Sequence, residues 1–151
     1  VYAAAPDQGP LPPVEEKKPD SERLEKAYKV AGEMLTDMAK RIEASEAIVK
    51  RLEEAVGKLK ENGKNTERLE TALKNYKEKL AQAKAAYQKA VDTYKTHAGF
   101  DANGKVTDAE KALDTLKDIR QHQAEARRLL IPEYRKALAL LKSLRQPKTD
   151  K

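Results

Sequence analysis

The sequence predicts an all-α protein, an up-down-up antiparallel three-helix bundle, slim and coiled-coil-like, behind an extended proline-rich N-terminal leader. Three observations carry that expectation. Apolar residues recur at 4-3-4-3 spacing through most of the chain, the signature of one buried helix stripe. Asn-Gly and Gly punctuation interrupts the pattern at two places and proline bounds it at both ends. The composition is 37% charged, 39% hydrophobic and 5% aromatic, a balance suited to long amphipathic helices rather than to a compact globule.

Residues 1–19 hold five of the seven prolines and show no apolar period, so they read as an extended leader. The bundle is expected over residues 20–146, with helices at about 20–62, 66–98 and 107–145, and a tail at 147–151. In the first helix Leu24, Tyr28, Ala31, Leu35, Met38, Ile42, Ser45, Val49, Leu52, Val56 and Leu59 form the seam, which Ala27, Met34, Ile48 and Ala55 widen on one side. Asp20 or Ser21 starts this helix after Pro19, and Asn62-Gly63 stops it. At 1.5 Å per residue it is about 60 Å long.

The second helix repeats the pattern with Leu69, Leu73, Tyr76, Leu80, Ala83, Tyr87, Ala90, Tyr94 and His97, capped by Asn65 or Thr66 and stopped at Gly99. Residues 100–106 form a loop. Thr107 and Glu110 have capping-box spacing, which places the third helix start at Thr107. Its stripe runs through Ala112, Leu116, Ile119, Gln123, Ala126 and Leu130, with Pro147 as the stop. Pro132 falls inside it and should kink or restart the helix. Three such helices joined by short loops bury their stripes only against one another. An open hairpin completed by dimerisation satisfies the same pattern.

Composition also excludes chemistry. The chain lacks Cys, which removes disulfides, thiolate metal sites and cysteine nucleophiles. No apolar run approaches the roughly 18 residues of a membrane span. Glycine-rich phosphate loops, H-E-x-x-H and facing Glu-x-x-His pairs are all missing, so a non-enzymatic protein is expected. His97 and His122 fall at different levels of an up-down-up bundle, which argues against a shared metal; His97 reads as a helix-end residue.

The charge of +6 is uneven. Residues 1–19 and 20–62 each total −1, whereas 63–106 and 107–151 each total +4. Nucleic-acid binding is disfavoured, because the second helix's lysines are diluted by Glu67, Glu70, Glu78 and Asp92 and its tyrosines lie on the seam. A peripheral anionic lipid or polymer surface stays open as an alternative partner.

Two places carry candidate sites. Asp101-Ala102-Asn103-Gly104-Lys105-Val106-Thr107-Asp108 sets carboxylate, amide and carbonyl oxygens between two helices, the donor set of a hard cation such as calcium. Its ligands would be Asp101, Asn103, the Lys105 carbonyl and Asp108. The loop departs from an EF-hand, since Gly104 comes fourth and Ala112 stands where the bidentate Glu belongs. An Asn-Gly turn feeding a helix cap explains the same residues without an ion and without any other cofactor. At the other end of the third helix, Leu130, Ile131, Tyr134, Leu138, Leu141 and Leu144 carry more apolar surface than one stripe requires, which marks a partner-binding or self-association surface. Alternatively the leader folds back and Leu11 and Val14 cover it.

The turns Asn62-Gly63-Lys64-Asn65-Thr66 and Thr96-His97-Ala98-Gly99-Phe100-Asp101-Ala102-Asn103-Gly104-Lys105-Val106-Thr107-Asp108 are similar to those of a group of secreted, Ala-rich helical-bundle proteins of environmental bacteria with no established function. The resemblance covers roughly residues 20–145 and implies export and helical hairpins, but no activity. The Lys-rich, Tyr-bearing second helix departs from the group's Ala/Gln-rich pattern. Val1-Tyr2-Ala3-Ala4-Ala5 also reads as the small-residue end of a secretory signal, or equally as an arbitrary chain boundary. The expectation is an exported, periplasmic, cell-surface or extracellular helical bundle, a structural or interaction subunit. Alternatives are a calcium-binding module and an amphipathic binder of anionic surfaces.

Overall fold

The computed structural model describes residues 20–145 and consists of three helices, α1 (Ser21–Glu61), α2 (Glu67–Thr96) and α3 (Ala109–Arg145). Contacts between side chains fix the up-down-up order. Lys77 and Lys84 of α2 pair with Glu53 and Glu46 of α1, so ascending numbers on one helix meet descending numbers on the other. The Thr115 hydroxyl donates to the Ala98 carbonyl and that of Thr93 to Asp118, which sets α3 antiparallel to α2. The most extensive interface is that between α2 and α3. Alanines at Ala83, Ala86, Ala90, Ala112 and Ala126, all buried, leave room for a close backbone approach.

The expected seams are the core. On α1, Leu24, Ala31, Leu35, Met38, Ile42, Ser45, Leu52 and Val56 are buried, and Tyr28, Val49 and Leu59 are half-buried. The α3 stripe from Ala112 to Leu130 is buried throughout. Two apolar clusters result. One, around Leu24, Leu35, Phe100, Leu116 and Ile119, closes the end near the 97–108 loop. The other, around Ile42, Leu52, Leu73, Tyr76 and Leu130, fills the remaining length.

The helix ends follow local chemistry. Asp20 caps α1 by accepting the Glu22 N–H, and Asn62 ends it before Gly63 turns the chain at φ +70°. At α2 the work is divided: Thr66 occupies the cap position, but the Asn65 side chain accepts the Glu67 N–H while the Thr66 hydroxyl bonds Glu70. The capping box expected at Thr107 and Glu110 does not form. The α3 cap is Asp108, whose Oδ1 accepts the Lys111 N–H at 3.1 Å and whose carbonyl accepts the first helical N–H, from Ala112; Thr107 stays in the loop, where the Gly99 carbonyl binds the N–H groups of both Thr107 and Asp108. Pro132 does not restart the helix, which runs through it unbroken. Its exposed position lets water take the carbonyl that the missing N–H leaves behind.

Candidate functional site

The loop between α2 and α3 uses its polar groups on itself. His97 ends α2 in the left-handed region at φ 41°, and its Nδ1 lies 2.8 Å from the Phe100 carbonyl oxygen. Gly99 follows at φ +90°, packed so closely against α3 that a Cβ there would land on the backbone of Lys111 and Ala112. The Gly99 carbonyl accepts the N–H groups of both Thr107 and Asp108. Phe100 is buried, pairs with Val106 in a one-rung bridge, and stacks at 4.3 Å on Tyr28 of α1, which stacks in turn on Tyr94. The Tyr28 hydroxyl donates to the Tyr94 carbonyl at 2.9 Å, and burial with the neighbouring Tyr94 pushes its pKa up to about 12.

The four candidate cation ligands all take part in this framework. Asp101 Oδ1 accepts the N–H groups of Asn103 at 2.8 Å and Lys105 at 2.9 Å, which holds its carboxyl below the usual range. The Lys105 carbonyl accepts the Asp101 N–H, and Asp108 caps α3. Asn103 stands exposed at the tip. Asp101, Asn103 and Lys105 therefore lie together, with Asp108 turned to the helix, and among the described residues no group of three or more acidic or histidine side chains gathers at any point. The base of the loop is tied to α1 by Glu25. Its carboxylate accepts the Val106 N–H at 2.9 Å and faces the Lys105 ammonium at 3.6 Å. Glu25 belongs to no local motif, and only the antiparallel packing brings it 81 residues along the chain to its partner.

The six apolar candidates on α3 separate into two sets. Leu130 and Leu141 are core residues, packed with Ile42, Leu52 and Leu73, so their assignment to a partner surface is corrected. They continue the buried stripe through Ala126, Leu130, Ala137 and Leu141. Ile131 and Tyr134 are half-buried, and Leu138 and Leu144 are exposed at 37% and 39%. Leu11 and Val14, invoked as an alternative cover, lie outside the described residues.

Sequence reasoning placed Ala27 and Met34 on the buried seam of α1 and passed over Val30, whereas Met34 and Val30 form the other wall of this surface. Val30 and Met34 of α1 are 48% and 38% exposed, one turn apart. They line a depression between α1 and α3 with Ala27, Arg120, Ala124 and Arg127. Farther along the same groove, Lys40, Arg41 and Ala44 face Ile131 and Tyr134. The available signal was a second row on α3 beside the core stripe, Arg120, Ala124, Arg127, Ile131, Tyr134 and Leu138, at 4-3-4-3-4 spacing. The α1–α2 groove differs in kind. Glu46, Glu53 and Glu70 pair across it with Lys84, Lys77 and Lys60.

No protein-family profile, curated protein or solved structure matches the chain. None of the helices among the described residues is long and apolar enough to cross a membrane.

Proposed function

We propose that this protein is a non-enzymatic, exported helical bundle that works through its surface, as a structural or interaction subunit of a cell-envelope or extracellular assembly. The observation that carries the reading is the α1–α3 groove. Exposed Val30 and Met34 line it, Ile131 and Tyr134 lie farther along it, and exposed Leu138 follows Tyr134 by one turn on the same row of α3. Apolar side chains left exposed along one groove of a highly charged bundle mark a docking surface. Export rests on the resemblance of the two turns and on the small-residue segment at Val1–Ala5. The 97–108 loop serves this function as a rigid end cap that holds α1 and α3 in register.

Since the chain has no Cys, a benzophenone reporter can be placed at the groove through Ala124→Cys alone. In the full chain, irradiated with native envelope extract, it should form one discrete cross-linked species. Val30→Lys with Met34→Lys should abolish that species while circular dichroism stays unchanged. A smear, no product, or a product indifferent to the two substitutions would refute the reading.

A further inference from the structure

We infer that the occupant of the α1–α3 groove is an acidic amphipathic helix of a partner protein, seated as the fourth helix of the bundle. The inference rests on the surface role proposed above and specifies the partner's chemistry. The groove has an apolar floor, with Ala31, Ile119 and Leu130 buried beneath it, and cations on both walls. Arg120 and Arg127 stand on the α3 side, Lys40 and Arg41 on the α1 side. None of these four forms an ion pair among the described residues, whereas three ion pairs bridge the α1–α2 groove. No carboxylate lines either depression, and Asp37 lies one turn before Arg41 on α1. A surface whose cations are left unpaired around exposed Val30 and Met34 is complementary to Asp and Glu flanking an apolar stripe.

Geometry selects a helix. From Ala27 to Ala44 the groove runs about 26 Å, the length of some 17 helical residues. Its walls are parallel helices, so the vacant position is that of a fourth helix in a four-helix bundle. A second copy of this chain is disfavoured, since the same face on both partners would set arginine against arginine. A bilayer fits poorly as well, because the apolar side chains lie between charged walls rather than on a projecting ridge.

The test uses the full chain and a fluorescein-labelled synthetic peptide of about 18 residues, with leucines at i, i+3/i+4 and i+7 and glutamates on both flanks. Fluorescence anisotropy should report micromolar binding. Arg120→Glu with Arg127→Glu should weaken it by roughly tenfold or more, and the lysine version of the peptide should restore binding to that variant. Lys50→Glu with Lys74→Glu, the same change of charge in the α1–α2 groove, should leave it within about twofold. Absence of binding at about 1 mM peptide would overturn the inference. So would equal losses in the Lys50/Lys74 and arginine variants, which would mean diffuse charge attraction. Binding of phosphatidylglycerol vesicles in place of the peptide, lost in the arginine variant, would assign the groove to lipid and overturn it. Binding that appears only when residues 1–19 are deleted would assign it to that segment, with the same consequence. A discrete cross-linked species at Ala124→Cys together with a failed peptide assay removes this inference alone and leaves the docking role standing.

Discussion

Replacing Ser45 with alanine should make the protein more stable. Ser45 is fully buried in the middle of α1, and Tyr76 of α2 is 2% exposed beside it. The two hydroxyls neighbour each other, yet neither has a partner at hydrogen-bond geometry among the described residues. Burial raises the Tyr76 pKa. A buried hydroxyl without a partner costs about 1 kcal/mol or more, because its bond to water is lost and nothing replaces it. Alanine removes that cost and gains about 0.5 kcal/mol of helix propensity, leaving almost the same volume filled. The sum is about 1.5 kcal/mol of added stability, or about 3–6 °C in Tm for a chain of this size. Urea unfolding followed at 222 nm reads the first figure and calorimetry the second. Tyr76→Phe should act in the same direction, and the double variant should be additive within about 0.5 kcal/mol. Destabilisation by Ser45→Ala, or a coupling above about 1 kcal/mol, would mean that the two hydroxyls bond each other and would refute the reasoning.

Gly99→Ala should destabilise by about 3 kcal/mol or more, since the new methyl meets the α3 backbone at a positive φ. Gly57→Ala, at an exposed helical site with open space around it, should stabilise by about 0.8 kcal/mol; chemical denaturation of both variants checks the opposite signs. The lowered Asp101 pKa adds stability that is fully present above the unfolded value of about 3.9 and lost as pH falls through the lower folded value. NMR titration should show the Asn103 and Lys105 amides losing their hydrogen-bonded shifts in that acidic window, and Asp101→Asn should remove the transition. Leu130→Ala should cost about 2–5 kcal/mol by opening a core cavity, whereas exposed Leu138→Ala should cost under about 0.5 kcal/mol. Similar values for the two, measured by urea unfolding, would mean that α3 is rotated from the orientation described.

Both the success and the failure of the sequence reading trace to particular residues. Leu24 through Val56 on α1 and Ala112 through Leu130 on α3 announced their burial through spacing alone, because a helix carries side chains of period seven to one side. The surplus of apolar residues, by contrast, put Leu141, and Leu130 despite its place on the buried stripe, on a partner surface. Near the end of α3 apolar residues occupy more than one stripe, and spacing within a crowded stretch does not say which row faces inward. The α3 cap moved from Thr107 to Asp108 at a place where the Gly99 carbonyl gathers the N–H groups of both residues, a contact between segments that no local rule contains.

What the sequence by itself determined are the properties that depend on near neighbours: three helices, their stop signals, the seams, and the uneven charge that makes residues 63–151 basic. Tertiary structure alone decided which groups from distant helices meet. It brought Glu25 to Val106 and Lys105 at the base of the loop, and set Val30 and Met34 opposite Arg120 and Arg127. The reason is geometric. Periodicity records the angle of each residue about its own helix axis, whereas a groove also depends on the rotation and height of a second helix, which only packing of the whole bundle determines.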